Sequence, residues 1–279
     1  MVNFNGTILD SENANLASNR GFLYGDAVFE TVKIVDGKVL FSEDHYFRLM
    51  ASMRVVRMEI PMDFTLEYFE EQILDLAHAE HCSASARARI TVYRNDGGKY
   101  LPVGNEVSFI ISVSVLGNPL YQISSGDYEV DLYKDFYVAK QLLSGIKSTN
   151  KILNVAASIY ANENGLQNCL LLNDEKNVIE ATQGNVFMLT GSKLVTPPVS
   201  EGCVNGVMRR QVLAAAKNMG NLEVSEQVIS PFDLQKADEL FITNIIIGIQ
   251  PVSKYRKKEF GSAVAEALLQ RINTQIRLG

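Results

Sequence analysis

The sequence lacks the features that mark membrane-bound, secreted and nucleic-acid-binding proteins. Its 279 residues contain no apolar run of membrane-spanning length. The N-terminal segment MVNFNGTILDSENANL has neither the basic segment nor the apolar core of a signal peptide. The formal charge of −6 argues against a broad nucleic-acid surface, because phosphate binding rewards clustered Lys and Arg. We therefore expect no membrane and no nucleic acid among its partners.

Cysteine and histidine are scarce, with three of each. Cys82, Cys169 and Cys203 are widely spaced and no CxxC occurs, which favours reduced thiols in a cytoplasmic protein. The stretch HAEHC, which ends at Cys82, could form a surface metal site, but so short a pattern is weakly specific. We expect no metal.

Two nucleotide-binding motifs are also missing. The chain has no GxGxxG and no GxxxxGK[ST], so the sequence supports neither a dinucleotide-binding fold nor a P-loop ATPase. Hydrophobic residues make up 47% and charged residues 21%, as in an ordinary globular enzyme. The length allows one large domain or two smaller ones.

Strand and helix patterns alternate along the chain, which indicates the α/β or α+β class. VFETVKIV alternates with a period of two and is followed by a DG turn and KVLF, which predicts a hairpin. Ser42, followed by acidic residues, predicts a capped helix start. The turn formers of GNPLYQISSGDY predict a linker at 117–128, between an N-terminal domain of residues 1–116 and a C-terminal domain of residues 129–279.

The stretch SGIKSTNKI contains two lysines, Lys147 and Lys151, just before a helical pattern. Either could be a catalytic amine, and both could be surface charges. Further along, EGCVNGVMRRQVL places a glycine turn directly before a helix. The free N–H groups and positive dipole end of such a helix favour a phosphate, although an ordinary loop–helix junction has the same pattern.

Three polar residues stand in apolar surroundings. Glu180 follows an apolar strand in NVIEATQGNVF and faces either a buried cation or water. Arg48 in HYFRLM lies on an apolar helix face, where a partly buried arginine needs an anion as partner. The alternative is an ion pair with Asp44 within the helix. Asn244 interrupts the apolar run ITNIIIGIQPV as a ligand contact or as a turn residue.

A lysine, an arginine, a helix-start turn and a strand-end carboxylate are the parts needed to bind pyridoxal 5'-phosphate (PLP). The lysine binds the cofactor covalently, while the arginine and backbone amides hold the phosphate. The carboxylate keeps the pyridine nitrogen protonated, so that the ring can accept electrons. The spacing of these residues alone does not establish this chemistry.

The chain resembles the class IV aminotransferase family, the fold-type IV PLP enzymes. That family includes branched-chain aminotransferase, D-amino acid aminotransferase and 4-amino-4-deoxychorismate lyase. The resemblance covers most of the chain and rests on six pieces in the family's order: YGDAVFET, HYFRL, GIKSTN, IEATQGNVF, CVNGVMRR and ADELFITN. It implies a small N-terminal α/β domain, a larger C-terminal α/β pseudo-barrel domain, PLP as cofactor, a small-molecule amino substrate and a homodimer.

The resemblance also assigns roles to individual residues. Lys147 is implied as the catalytic lysine that binds PLP covalently, and Lys151 as an ordinary residue. Arg48 is implied as the phosphate arginine and Glu180 as the partner of the pyridine nitrogen. Further implied cofactor contacts are Val204 against the ring, the backbone amides of Val207 and Met208 at the phosphate, and a second phosphate pair, Asn244 and Ile245.

The reaction is less constrained by the motifs. Met208 stands where the family's transaminases usually carry threonine, and TNIIIGIQPV replaces their Thr- or Ser-rich turn. Both departures resemble the aminodeoxychorismate lyase branch, although the loop GGKYLP carries Lys99 where those lyases often have arginine. We expect a lyase that releases pyruvate and 4-aminobenzoate, a folate precursor, with a branched-chain or D-amino acid transaminase as the alternative.

Two matters stay open at this level. Arg94 and Lys99 are candidate contacts for a substrate carboxylate. A non-catalytic PLP-binding protein is a third possibility for the whole chain. The joint presence of Lys147, Arg48 and Glu180 argues against it.

Overall fold

A computed structural model describes residues 1–9, 18–124 and 126–278. The chain divides into two compact units, the first of residues 1–120 with 147–150 and the second of residues 121–146 with 151–279. The change from the first unit to the second falls within the predicted linker at 117–128, of which Ser125 lies outside the described residues. The sequence did not predict that residues 147–150 belong to the first unit, and the contiguous domain boundaries stay a prediction.

The described residues of the first unit form one antiparallel sheet and three helices. Its strands are β1 (Val2–Phe4), β2 (Thr7–Leu9), β3 (Ala27–Val35), β4 (Lys38–Val39), β5 (Ser85–Arg94) and β6 (Val107–Val115). Its helices are α1 (Arg20–Tyr24), α2 (Ser42–Val55) and α3 (Leu66–Ala79). The strand order is β2-β1-β6-β5-β3-β4, so β3 lies between β5 and the short β4.

The predicted hairpin is confirmed. Asp36 and Gly37 both have positive φ, 49° and 73°, which gives the turn the backbone twist that joins two strands in two residues. The predicted cap of α2 is wrong. The residue before that helix is Phe41, with φ 53° and no side-chain cap, and Ser42 already has helical backbone. A residue inside the first turn cannot cap it, so the hydroxyl of Ser42 does not serve as predicted.

The second unit contains a mixed sheet of ten strands. They are β7 (Glu129–Leu132), β8 (Asn168–Leu172), β9 (Val178–Ala181), β10 (Gly184–Thr190), β11 (Lys193–Thr196), β12 (Glu223–Glu226), β13 (Glu239–Asn244), β14 (Gly248–Val252), β15 (Lys254–Tyr255) and β16 (Lys258–Glu259). The helices are α4 (Leu142–Gly145), α5 (Ile152–Glu163), α6 (Val207–Lys217) and α7 (Ala263–Leu278).

Strand β10 organises this sheet because three strands pair with it. One of its edges pairs with β9 and β11 at different ends, and β13 runs antiparallel along the other edge. Val186 and Met188 of β10 and Ile242 of β13 belong to one apolar core. The alternate positions of the same strands point to the other face, where the rings of Phe187 and Phe241 stack with centroids 5.2 Å apart.

The described residues thus form a mixed α/β fold, as predicted. No helix within them is both long and apolar enough to cross a bilayer. The three cysteines are buried free thiols.

Candidate active site

Backbone pairing with β3 fixes the position of Lys147. The N–H of Phe29 donates to the carbonyl of Lys147 at 2.8 Å, and the N–H of Thr149 donates to the carbonyl of Ala27 at 3.0 Å. Residues 147–149 therefore run antiparallel to a strand whose nine residues are all buried. The Nζ of Lys147 lies 4.4 Å from the centroid of the Phe29 ring.

Lys151 has a different setting. It belongs to the second unit and immediately precedes the first residue of α5. The two lysines of SGIKSTNKI thus belong to different units. The assignment of the catalytic amine to Lys147 stays a prediction.

Arg48 is held by a buried carboxylate on the neighbouring strand. From α2 it donates through Nε to Oε1 of Glu30 at 2.7 Å and through Nη2 to Oε2 at 2.6 Å. Burial alone would raise the pKa of Glu30, but the charge of Arg48 and hydrogen bonds from His45 and Arg48 hold that pKa at about 2. Glu30 therefore fixes the orientation of the Arg48 guanidinium, a planar group whose geometry suits anions such as phosphate.

His45 completes this group. Its Nδ1 lies 2.8 Å from Oε2 of Glu30, and its side chain is fully buried. Burial lowers the pKa of His45, and the nearby charges of Arg48 and Lys147 lower it further against the opposing effect of Glu30. A neutral imidazole therefore donates its Nδ1–H to Glu30 without adding a second positive charge. The sequence did not predict the roles of Glu30 and His45.

Glu180 lies at the end of β9 and is buried, with 7% of its surface exposed. Its Oε2 accepts a hydrogen bond from the N–H of Val204 at 3.0 Å. The carbonyl of Val204 accepts from Nδ2 of Asn185 at 2.7 Å. Glu180 and Asn185 therefore hold Val204 from both sides, and the solvent-facing alternative for Glu180 is wrong. Sequence reasoning did not single out Asn185, although this residue lies within the quoted stretch IEATQGNVF.

Helix α6 begins beside Asn185 of strand β10. Its cap is Gly206, which makes no side-chain hydrogen bond to the first turn. A Cβ on Gly206 would collide with Oδ1 of Asn185, so any other residue there would have to displace the Asn185 side chain. The N–H groups of Val207 and Met208 stand at the positive end of the helix dipole without a capping side chain, which suits a phosphate.

The turn between β13 and β14 is fixed by side chains. Oδ1 of Asn244 accepts from the N–H groups of Ile246 and Ile247, each at 3.0 Å. The hydroxyl of Tyr121 donates to the carbonyl of Ile245 at 2.6 Å. The Asn244 side chain thus satisfies the turn, and a phosphate contact of Asn244 and Ile245 would have to use their backbone.

The structure corrects the candidate role of Arg94. This arginine is buried and donates to Oδ2 of Asp26 at 3.0 Å and to the carbonyls of Arg57 and Val56 at 3.2 and 2.7 Å. It is a structural residue that ties β5 to the end of α2. Lys99 lies exposed in the loop after β5, and its carbonyl accepts from Arg20 at 2.6 Å.

A group of cations that the sequence analysis did not single out lies on one face of the first unit's sheet. Lys33 is directly opposite Arg87, and Thr31 is directly opposite Arg89. The guanidinium carbon of Arg89 lies 3.6 Å from the centroid of the Phe29 ring, the ring that Lys147 also contacts. We call Lys33, Arg87 and Arg89 the cationic row. The period-two spacing in ARARITV was the signal that could have revealed it.

Burial perturbs two members of this row. It lowers the pKa of Lys33 to about 8. Burial, followed by the charge of Arg87, also lowers the pKa of Arg89. An anion beside Lys33 or Arg89 would raise the pKa of that group, because an opposite charge favours the protonated form.

Known proteins resemble the chain over most of its length. The family model for amino-transferase class IV matches residues 27–255. A Methanocaldococcus jannaschii protein named "Putative branched-chain-amino-acid aminotransferase" is 31% identical over 255 residues, which cover 90% of this chain and 86% of that protein. The aminodeoxychorismate lyase of Vibrio harveyi is 30% identical over 240 residues, 84% of this chain and 85% of that protein.

A solved structure confirms the fold. The branched-chain aminotransferase of Thermoproteus uzoniensis, crystallised with norvaline, superposes with a TM-score of 0.88 at 21% identity. The match covers 97% of this chain and 92% of that one.

The residues present fit PLP. In the second unit, the Glu180 carboxylate and the uncapped start of α6 suit a ring nitrogen and a phosphate. In the first unit, taken by itself, Lys147 offers an amine and Arg48 a guanidinium. When bound, PLP supplies an electron sink for a substrate carbanion. The roles that the resemblance assigns to the protein groups, which are to anchor PLP, charge its ring nitrogen and neutralise its phosphate, stay a prediction.

We predict that borohydride reduction of the PLP-loaded protein attaches the phosphopyridoxyl group to Lys147, since one amine alone must bind the cofactor covalently. Lys147→Ala should lose this adduct and turnover, while Lys151→Ala should keep both. Peptide mass spectrometry locates the adduct. An adduct on Lys151 contradicts the assignment.

We predict that Glu30 makes the fold sensitive to acid. Its folded pKa of about 2 lies below the ordinary value of 4.5, so it stabilises the fold above pH 4.5 and this stabilisation is lost as pH falls towards 2. Glu30→Gln should be less stable at pH 7 and should lose less of its stability between pH 5 and pH 3. Over this pH range the free energy of unfolding of the wild type should fall by on the order of 2–3 kcal/mol more than that of the variant.

Urea denaturation of both proteins at each pH measures this difference. Glu71→Gln, an exposed change on α3, is the matched control and should follow the wild-type pH dependence. If Glu30→Gln and the wild type lose the same free energy of unfolding between pH 5 and pH 3, then the pair with Arg48 does not hold the pKa of Glu30 low.

Proposed function

We propose a reaction for this chain from the premise that it belongs to the class IV aminotransferase family and is a PLP-dependent enzyme. The reaction is the elimination of pyruvate from 4-amino-4-deoxychorismate, which gives 4-aminobenzoate. The observation that carries this proposal is the cationic row beside the ring contacted by Lys147.

The charge of the row favours a substrate with more than one carboxylate. Aminodeoxychorismate carries a ring carboxylate and an enolpyruvyl carboxylate, and both need cationic partners when they leave water. A branched-chain amino acid has one carboxylate and an apolar side chain. Three cations beside each other suit the first substrate better, because an apolar side chain cannot neutralise their positive charge.

Each assigned residue has a defined task in this reaction. Nζ of Lys147 acts as general base at the substrate carbon that bears the amine, and then as acid toward the departing fragment. Glu180 keeps the ring nitrogen protonated. The first N–H groups of α6 hold the phosphate, so the cofactor keeps its orientation while protons move. Arg48, which Glu30 orients within the first unit, supplies a guanidinium for an anion.

A transaminase is the second candidate. The 31% identity to the protein named as a branched-chain aminotransferase supports it, and so does the fact that Arg89 would also suit the second carboxylate of glutamate. A transaminase needs a keto acid to regenerate the cofactor form that accepts the next amine, whereas the lyase does not.

We predict that the PLP-loaded protein releases pyruvate from aminodeoxychorismate with no keto acid present. Lactate dehydrogenase and NADH report the pyruvate. Arg89→Met should raise KM tenfold or more, since a charge-assisted hydrogen bond contributes roughly 1.5–3 kcal/mol.

Arg54→Met provides the control, because Arg54 is exposed on the last turn of α2. Its KM should equal that of the wild type. Turnover that starts only when a keto acid is added would overturn the lyase and support the transaminase.

We propose a homodimer on the basis of an apolar stripe on α5. Ile152, Val155 and Ile159 are spaced along one face of the helix and are 80%, 50% and 54% exposed in the single chain. The polar residues beside them are the uncharged Asn154, Ser158 and Asn162. Two copies can bury such an apolar stripe against each other.

We predict that Val155→Glu combined with Ile159→Glu converts the protein to monomers, because the pairing would bury carboxylates without partners. Light scattering after size exclusion measures the mass. Val228→Glu, at a site that is also 50% exposed, should leave the oligomer intact. A dimer that survives the double change places the interface elsewhere.

We also propose the cytosol as its location, since all three cysteines are buried free thiols. Oxidising compartments favour disulfides.

A further inference from the structure

Thr243, the next-to-last residue of β13, has a buried hydroxyl that binds nothing within the described residues. Its side chain is 1% exposed, and Oγ1 has no hydrogen-bond partner there. Buried hydroxyls are nearly always hydrogen-bonded, because leaving one unpaired loses the bonds it made to water. The hydroxyl therefore indicates a partner that the protein itself does not supply.

Strand pairing fixes the direction of this hydroxyl. Asn185 on β10 is directly opposite Glu180 on β9 and directly opposite Thr243 on β13. Residues directly opposite each other in antiparallel strands project from the same face. Glu180, Asn185 and Thr243 thus form one row across three strands, about 10 Å long at the usual strand spacing.

The start of α6 lies on this face. Gly206 approaches Asn185 so closely that a Cβ would collide with its amide oxygen, and Asn185 is the middle residue of the row. The uncapped N–H groups of the helix therefore lie one strand away from the Thr243 hydroxyl. A helix N-terminus with a buried, unpartnered hydroxyl beside it is a site for an anion.

We propose that Oγ1 of Thr243 donates a hydrogen bond to the phosphate of PLP. This inference rests on the proposed placement of the phosphate at the start of α6. Met208 in that turn has a thioether and cannot donate, so the hydroxyl comes from the neighbouring strand instead. Glu180 at one end of the row takes the ring nitrogen, and Thr243 at the other end takes the phosphate.

Two ligands separate this role from a structural one. The apoprotein is dialysed against PLP and against pyridoxal, which lacks the phosphate. Thr243→Val has nearly the same shape without a hydroxyl and should bind PLP roughly ten- to a hundredfold more weakly, with unchanged affinity for pyridoxal. Thr243→Ser restores the hydroxyl and should bind PLP close to the wild-type affinity.

Thr196→Val is the matched control. Thr196 is also fully buried, but its hydroxyl donates to the carbonyl of Val186 at 2.8 Å. This change should lower the melting temperature and leave the ratio of PLP to pyridoxal affinity unchanged. If Thr243→Val does not fold, Thr243→Cys, with its weak donor, takes its place.

A wild-type affinity ratio in the folded variant overturns the inference and indicates that a buried water satisfies the hydroxyl. Failure of the underlying placement gives a different result. If the wild type binds pyridoxal as tightly as PLP, the phosphate is not held at the start of α6, and the proposed site is wrong as a whole.

Discussion

The register of strands β9, β10 and β13 is the constraint on which the chemistry of the second unit depends. Val186, Met188 and Ile242 project from one face into an apolar core, and their burial sets which residues alternate to the other face. A slip of one residue would turn Asn185 and Thr243 into the core and expose the apolar side chains. The core thus fixes the polar row, and the row holds Val204 through Glu180 and Asn185.

In the first unit a single strand has the same organising role. One face of β3 carries Glu30, which pairs with Arg48, and the other carries Phe29 and Lys33. Its edge binds residues 147–149. Because all nine residues of β3 are buried, the positions of a guanidinium, an amine and a cationic row follow from one rigid element. Rigid elements hold catalytic groups more precisely than loops do.

Local features were predictable from the sequence and long-range ones were not. The DG turn and the motif around Glu180 depend on neighbouring residues, so both could be identified. The Glu30–Arg48 pair joins residues 18 positions apart and forms only because α2 packs on β3. Asn185 and Thr243 became recognisable as one row only when the pairing of β10 with β13 was known.

Two of the three arginines of β5 show why the sequence alone does not separate a structural arginine from a candidate ligand contact. Arg89 and Arg94 differ by an odd number of positions, so they project from opposite faces of the strand. The sequence does not say which face the helices cover. In the structure Arg94 reaches backbone carbonyls at the end of α2, while Arg89 stands over Phe29. On the helix-covered face the arginine bonds to the backbone, whereas on the opposite face it lies over an aromatic ring.

The cationic row is costly for the fold by itself. Like charges directly opposite each other on paired strands repel, and Lys33 and Arg87 occupy such positions. Burial adds to the cost by favouring the neutral form of Lys33, whose pKa falls to about 8. An apolar residue at position 33 would avoid both penalties. Local choices that oppose folding are expected where a site needs them, and a carboxylate bound beside Lys33 and Arg87 would reverse both effects at once. This cost is the physical ground on which an anionic substrate is proposed for the cationic row.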